Sequence, residues 1–402
     1  MPSVPDMPKD HHSIMIVAGE RSGDVYGGRL AAELKSREPA IELFGCCGGV
    51  MRQAGVEPVV AAHEFAMVGI TEVVSGLPRA YRALRQLVKA ASRRRPQLAV
   101  LIDSPSLNMR LAKRMKRLGI PVLYFVSPQI WAWKKWRLRQ LASRVDRMVC
   151  IFDFEPEIYA RVGIPAEYSG HPLADTVAPT LSRDEFFAKA QLDPSTPTVA
   201  ILPGSRKIEI AYILPTILNA AVLLARRRPI QFVLPVAPGL EASGIQARIE
   251  GKPQAADLRG RIRLLEHSAY DALAYSTLAV VASGTATVEA ALLARPMVVV
   301  YRVSPVTAFL ARRMVDVPFF SMVNILARKK VVEELIQEEF TAPRLAKEVA
   351  KLLDDPAAQS SMAEELRRVK LRLSGGGAIE RLADAVIRMA APGSVGMRQE
   401  GS

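Results

Sequence analysis

The chain has 402 residues, with 54 Lys/Arg against 40 Asp/Glu, a net charge of +14 and half of its residues hydrophobic. That is the composition of two or three globular domains and excludes a disordered chain. Three cysteines (Cys46, Cys47 and Cys150) are too few and odd in number for a disulfide scaffold and fit a reducing cytoplasm, and five histidines, His11 and His12 among them, give a histidine-built metal site no support.

The first ten residues carry prolines and acids in place of the apolar core of a signal peptide. IMIVA at 14–18 reads as a buried strand, with Gly19 opening a turn into a helix near Val25. That turn, Gly19-Glu20-Arg21-Ser22-Gly23-Asp24, is of the Gly-rich kind whose amides hold an anion. It is neither GxGxxG nor a Lys-ended phosphate loop, so dinucleotide and ATP readings lose ground, and a plain structural turn is as good. Further strands are predicted at 41–44, 98–102, 122–126 and 148–151, with a helical pattern at 107–118. Apolar runs separated by helices predict a parallel sheet covered on both faces.

Between the second and third of these strands, Glu64-Phe65-Ala66-Met67-Val68-Gly69-Ile70 leads through Val73, Val74 and Leu77 into a basic helix. Tyr81, Leu84 and Val88 form an apolar line there beside Arg79, Arg82, Arg85 and Lys89. Such a stripe suits a monolayer of anionic lipid, and equally the core-facing side of an amphipathic helix. From 76 to 147 there are 18 Lys/Arg and only two acids, Asp103 and Asp146, so this window holds more than the whole net charge. It predicts an anionic partner, against the ordinary alternative of a solvated helix surface.

Asp103 ends the strand 98–102, almost alone among cations, which favour its ionised form and leave it able to take a proton from a hydroxyl. An Asx turn before Ser104-Pro105 is the plainer explanation. Ser127 follows the next strand and leads into Trp131 and Trp133, two of three tryptophans; packing is the ordinary role, stacking on a sugar or lining an acyl path the functional one. The pattern pauses at Gly170-His171-Pro172, where a linker is placed. A second alternating series follows at 198–202, 232–234, 262–264, 278–281 and 297–300. No run of about 18 apolar residues occurs, since Pro215 and Asn219 interrupt the longest, so no membrane span is expected.

In this second half, Leu202-Pro203-Gly204-Ser205-Arg206 follows a strand directly, with Glu209 a turn later. Small residues there admit a diphosphate and Arg206 supplies paired donors. Its counterpart, Ser283-Gly284-Thr285, starts a helix whose free amides suit phosphate oxygens, and Glu289 lies where a carboxylate receives both hydroxyls of a ribose. Ordinary capping explains either loop alone; two in one domain favour a nucleotide site. Two doubly wound domains in tandem are therefore predicted, with ligands in a cleft between the carboxyl ends of their strands. The boundaries are 1–12 for a flexible start, 13–175 and 176–353 for the domains, 354–391 for closing helices that pack across domains or between subunits, and 392–402 for a disordered tail.

GERSGD, IDSPSLN, YFVSPQIWAW, SGHPLAD, LPGSR with Glu209, ASGTATVEA and FFSMVNILA before VVEELIQ resemble, in order, the motifs of the lipid-A-disaccharide synthase family, over roughly 14–353. The resemblance implies a GT-B glycosyltransferase of two Rossmann-like domains, inverting, with no metal or other cofactor. It implies condensation of UDP-2,3-diacylglucosamine with 2,3-diacylglucosamine 1-phosphate, releasing UDP, in the lipid A biosynthesis of Gram-negative bacteria. By position, Asp103 matches the family's candidate general base, and Arg206, Glu289 and Asn324 match its UDP-sugar site. The stretch from Phe65 to Leu77 matches a membrane-facing, acyl-accommodating surface on a protein peripheral to the cytoplasmic face of the inner membrane. A homodimer through the C-terminal helices is implied in the same way. Four departures stand out: Arg328-Lys329 replaces Gly-Arg, Met322-Val323 replaces Leu-Pro, Gly49-Val50 replaces Pro-Arg, and Ser106 stands where some relatives have a second Asp.

Two other functions share part of this pattern. A soluble UDP-GlcNAc epimerase or peptidoglycan-type transferase shares the nucleotide motifs but gives no reason for the apolar and basic surface. A nucleic-acid-binding protein would use the basic window, yet aromatics are few and no recognition motif occurs, so nucleic acid is not expected as a partner.

Overall fold

A computed structural model describes residues 12–62, 70–128, 137–251, 255–305, 307–308 and 318–391. The chain divides into two compact units, Met1–Asp175 with Leu373–Ser402, and Thr176–Arg372. The first contains β1 (Ser13–Ala18), β2 (Glu42–Cys47), β3 (Glu57–Ala61), β4 (Leu98–Ile102), β5 (Val122–Phe125), β6 (Arg147–Cys150) and β7 (Ala166–Tyr168). They lie in the order β3-β2-β1-β4-β5-β6-β7, every pairing parallel. The second contains β8 (Thr198–Leu202), β9 (Gln231–Val236), β10 (Ile262–Glu266), β11 (Leu278–Ala282), β12 (Met297–Tyr301) and β13 (Glu333–Ile336), ordered β10-β9-β8-β11-β12-β13 and again all parallel. These are the two doubly wound units that the alternating apolar runs predict.

Burial on both faces explains why the central strands are continuous apolar runs. Met15, Val17, Ala99 and Leu101 pack with Leu84, Leu87 and Ala91 of helix Ile70–Arg94 and with Leu111, Ala112 and Met115 of helix Pro105–Arg117. Helix Arg21–Arg37 covers the opposite face, and helix Ala378–Ala390 packs on it and on β4, joined by Arg37 Nη1 to Asp384 Oδ1 at 2.5 Å. The closing segment is thus shared: helix Pro356–Leu373 runs in the second unit up to Arg372, whereas helix Ala378–Ala390 belongs to the first.

Several elements differ from the sequence expectation. Helix Arg21–Arg37 begins at Arg21, not near Val25, so Ser22, Gly23 and Asp24 form its first turn. Helix Lys207–Ala225 runs unbroken through Pro215, long and apolar enough by composition alone to cross a bilayer. Its Ile210, Ile213, Leu214, Ile217 and Leu218 lie in the core of the second unit, which accounts for that apolarity. In the basic helix, Ala83, Leu84, Leu87 and Ala91 are buried and Val88 packs on the core, while Tyr81 is 59% exposed. From Ala83 onward the core-facing alternative therefore holds.

In both sheets the strand order reverses beside the first strand, between β1 and β4 and between β8 and β11. Doubly wound proteins bind ligands at the carboxyl ends of strands flanking such a switch point. Register sets the levels: Ala18 pairs with Ile102, and Val281 with Leu202. The loops after β1 and β4 consequently start side by side, as do those after β8 and β11.

His171, in the turn after β7, is 4% exposed, lies 5.6 Å from the Phe152 ring and accepts the Leu173 N–H at Nδ1 over 3.2 Å. Burial pulls its pKa from 6.5 down to about 3. The unfolded chain therefore binds a proton that the folded one refuses between those values, and folding stability falls as pH drops through that window. His171→Asn, which keeps an acceptor for Leu173, should melt below wild type at pH 7, with the gap narrowing towards pH 5. A gap in melting temperature that stays constant with pH would contradict this.

Candidate active site

The loop after β4 is tightly constrained. Asp103 and Ser104 are consecutive non-glycine residues in the left-handed region, with φ of +48° and +45°. Such a conformation costs roughly 1–2 kcal/mol per residue. Hydrogen bonds hold it: the Asp103 N–H donates to Phe125 O at 3.0 Å, and the Tyr124 hydroxyl to Asp103 O at 2.5 Å. Asn108, fully buried, donates through Nδ2 to Ile102 O at 3.0 Å and to Asp103 O at 2.8 Å. An ordinary Asx turn is not what forms here, because the residue two places on is Pro105, which has no N–H to donate. Val126, at the end of β5, is also left-handed at φ +59°, so backbone strain gathers where the two strands end.

Gly19 lies against this loop. A Cβ on it would come 2.7 Å from Ser104 Oγ, so the close approach of the two loops requires glycine. Gly23 serves packing: a Cβ there would meet Ala18 Cβ at 3.2 Å and Ile102 Cγ2 at 3.5 Å. Ser22 is half-buried beside it. Asp24 is 7% exposed, and its carboxylate accepts the N–H groups of Gly48 at 2.7 Å, Val50 at 3.0 Å and Met51 at 3.2 Å. It thereby fixes the start of the short helix Gly49–Gln53. Ser127 is likewise turned to the fold, its hydroxyl 2.5 Å from the buried Glu155 carboxylate. The resemblance puts Gly19, Ser22, Gly23, Asp24 and Ser127 on the acceptor side of the cleft; Gly23, Asp24 and Ser127 carry structural work, and Gly19 borders the Asp103–Ser104 turn through Ser104.

The two loops of the second unit, alike in sequence, differ in their electrostatics. After β8, Gly204 has φ +117° and a Cβ on it would overlap Glu209. Glu209 Oε2 accepts the N–H groups of Ser205 at 2.9 Å and Arg206 at 3.2 Å. The amides expected to receive a diphosphate are thus taken by the protein's own carboxylate, and what faces solvent is the Arg206 guanidinium, 60% exposed. After β11, Gly284 has φ +145° and caps helix Thr285–Leu292; among the described residues no side chain accepts that helix's first amides, while Thr287 Oγ1 donates to Gly284 O at 2.7 Å. Gly284 and Thr285 are exposed, and a Cβ on Gly284 would meet nothing within 4 Å. Ser283 Oγ braces this turn from behind by donating to Phe320 O at 3.3 Å. One turn into the helix, Glu289 accepts the Tyr270 hydroxyl at Oε1 over 3.2 Å. Burial raises the Glu289 carboxyl above its ordinary 4.5, and the Tyr270 bond opposes that rise. An open helix start with an acid one turn in can receive an anion and a pair of hydroxyls.

Comparison with known proteins bears on what these loops serve. The family model described as Lipid-A-disaccharide synthetase matches residues 14–387. The lipid-A-disaccharide synthase of Solibacter usitatus is 42% identical over 369 residues, 92% of this chain and 94% of its own length. That of Myxococcus xanthus is 41% identical over 383 residues, 95% and 98% of the two chains. The chain belongs to the lipid-A-disaccharide synthase family. It is a glycosyltransferase with the GT-B fold. Among solved structures, a UDP-GlcNAc 2-epimerase from Neisseria meningitidis bound to UDP-GlcNAc aligns with TM-score 0.61 at 13% identity, covering 94% of this chain and 100% of that one. The calicheamicin glycosyltransferase CalG4 aligns with TM-score 0.58 at 14% identity, covering 94% and 98%. Those likenesses show the fold alone, and the full-length match at 42% decides for the synthase over the epimerase.

Asn324 is fully buried with all its hydrogen-bonding positions used: Nδ2 donates to Val332 O at 2.9 Å and Glu334 Oε1 at 2.8 Å, and Oδ1 accepts Val331 N–H at 2.7 Å and Val332 N–H at 3.0 Å. Glu334 in turn accepts Phe320 N–H and Ser321 N–H, each at 2.9 Å. Asn324 therefore acts on the Ser283 turn through Glu334 and the Phe320 loop. Arg328, standing where the family has Gly, is left-handed at φ +55°, the conformation glycine would take without strain. Lys329, an ammonium where the family has a guanidinium, pairs with Glu365 at 2.7 Å. Phe65, Met67, Val68, Trp131 and Trp133 lie outside the described residues; Ile70, Val73, Val74 and Leu77 fall on the backbone of helix Ile70–Arg94, and Arg79 and Arg82 on its exposed side. Among the described residues no cluster of His, Cys, Asp and Glu is arranged to hold a metal ion.

Asn108, Tyr124, Glu334 and Tyr270 escape a reading of the sequence because nothing local marks them. Asn108→Ala should leave the buried Ile102 carbonyl short of a donor, costing about 1–3 kcal/mol in urea unfolding. It should also lower kcat while leaving the KM for the nucleotide sugar within twofold. Unchanged turnover in this variant would separate the clamp from the chemistry.

Proposed function

We propose that this chain joins UDP-2,3-diacylglucosamine to 2,3-diacylglucosamine 1-phosphate, giving lipid A disaccharide 1-phosphate and UDP. The family match over residues 14–387 supports the reaction, and the open helix start at Thr285 with Glu289 one turn in supports the second unit as the UDP-sugar site. The acceptor's 6-hydroxyl oxygen attacks the anomeric carbon as the bond from that carbon to the diphosphate oxygen breaks, with inversion. Asp103 takes the hydroxyl proton. The departing UDP carries the negative charge, which the amides at Thr285 and Ala286 and the Arg206 guanidinium stabilise, standing where other enzymes use a metal ion. Glu289 receives the ribose hydroxyls. Gly204, Ser205 and Glu209 shape the loop that carries Arg206, and Gly19 and Ser22 border the acceptor.

Base catalysis contributes about 10²–10⁴-fold. Asp103→Asn is the cleaner test, since Asn tolerates the left-handed backbone as Asp does. With both diacylated substrates, kcat should fall on the order of 10²-fold or more with the donor KM unchanged, and EDTA should not slow the wild type. A folded Asp103→Asn protein turning over within a few-fold of wild type rejects Asp103 as the base.

The acceptor and donor are both lipids, so the protein is proposed to work peripherally at the cytoplasmic face of the inner membrane. Phe65, Met67, Val68, Ile70, Val73, Val74 and Leu77 enter the interface, with Arg79 and Arg82 at anionic headgroups. A homodimer through the C-terminal helices belongs to the same proposal. Co-sedimentation with vesicles containing phosphatidylglycerol is expected at physiological salt, with binding reduced several-fold in Arg79→Glu/Arg82→Glu. A gel shift with DNA or RNA but no vesicle binding would overturn the membrane assignment.

A further inference from the structure

We propose that Tyr270 is a positioning residue for the nucleoside: its phenol fixes the Glu289 carboxylate in the orientation that receives the ribose diol. This rests on the proposal that the second unit binds a UDP-sugar. The Tyr270 hydroxyl donates to Glu289 Oε1 at 3.2 Å, and among the described residues no other side chain donates to Glu289. Oε1 retains one lone pair after accepting the phenol, and Oε2 keeps both. With one oxygen anchored, rotation of the carboxylate about its terminal torsion is restrained, which favours the paired acceptors that a vicinal diol needs.

The anchor itself is rigid. Tyr270 lies on the short helix Ala269–Tyr275, which three ties fix within the second unit. Asp271, 2% exposed, accepts Thr180 N–H at 2.6 Å, Thr180 Oγ1 at 2.9 Å and Leu181 N–H at 3.0 Å. Arg295 donates from the other end to Leu273 O at 2.6 Å and to Ala274 O. The Tyr275 hydroxyl bonds Leu181 O. A tyrosine on a helix held at both ends loses little entropy in restraining its partner, so the restraint passes to Glu289. Burial and the neighbouring carboxylate push the Tyr270 phenol upward, further from ionisation, so at neutral pH it donates as a neutral hydroxyl.

The test measures calorimetric binding of UDP and of 2′,3′-dideoxy-UDP to wild type, Tyr270→Phe and Glu289→Gln. Phe retains the ring and its packing, and a melting temperature near that of wild type confirms the fold. Wild type should prefer UDP to the dideoxy analogue. Tyr270→Phe should weaken UDP binding by about tenfold, leave the analogue's affinity unchanged and raise the donor KM with little change in kcat. Adding Tyr270→Phe to Glu289→Gln should have no further effect on UDP. Equal losses for both ligands, which a merely structural role would give, overturn the proposal, as does an unchanged UDP affinity. Wild type that binds UDP and the dideoxy analogue alike removes Glu289 from the diol, whereas wild type that binds neither overturns the donor-site reading itself.

Discussion

The carbonyls of Ile102 and Asp103, held by Asn108 and Tyr124, are the constraint on which the first unit's chemistry depends. Two consecutive left-handed residues at the end of β4 carry a conformational cost of roughly 2–4 kcal/mol together. Net hydrogen bonds of about 1 kcal/mol each offset it only when several act at once, and here four converge on three backbone groups. Asp at the first of the two positions is the cheapest choice after glycine and asparagine. The same residue that supplies a carboxylate therefore also lowers the strain of the turn that places it. Gly19 follows from this, because the turned Ser104 occupies the space that any side chain at 19 would need.

The second unit repeats the strand order and reaches a different electrostatic solution. Both of its switch-point loops lead into helices, and a helix start attracts negative charge. After β8 that charge is built in as Glu209, so the loop is closed to a second anion at its amides and offers only a guanidinium. After β11 Gly284 brings no side chain, and the position stays open. Of the two helix starts only the one at Thr285 is left open, while the loop after β8 presents Arg206, which pairs with Glu209 at 3.8 Å, a division that two similar-looking glycine loops do not disclose. Buried Asn324 and Ser321, half-buried Glu334 and exposed Phe320 form a bonded set that touches the open turn through Ser283. Its hydrogen bonds are fully occupied, which suits support and not contact.

Central strands were legible in the sequence because both faces are buried: the expected 98–102 and 198–202 coincide with β4 and β8. β3, β7 and β13 were not, and all three are sheet edges. An edge strand pairs on one side, needs less apolar cover and so carries residues such as Glu57, Glu167 and Glu334, which break the signal. Loops that follow strands were legible for the same reason that glycine and proline are: they mark turns. What remained hidden was partnership at a distance, as between Asp24 and the amides at 48–51 or Tyr270 and Glu289, because sequence spacing carries no record of it. Motif likeness named Asn324 without its role, which only the bonding around it defines.

The basic window shows how charge and fold divide one helix between them. Ala83, Leu84, Leu87 and Ala91 supply the stripe that the core requires, leaving Arg82 and Arg85 on the exposed side. Some cations nearby are neutralised, Arg94 by Glu57 and Lys116 by Asp146, and such surface pairs contribute at most about 1 kcal/mol. An uncompensated excess repels itself, and the proposed anionic surface would supply its counter-charge. Near an anionic bilayer each cation gains about 1 kcal/mol, which makes a handful of arginines comparable to the whole stability of a domain and strongly dependent on salt. Under the proposed membrane contact, the core takes the apolar stripe from Ala83 onward, and Arg82, Arg85 and Lys89 of the outer face meet the lipid by charge.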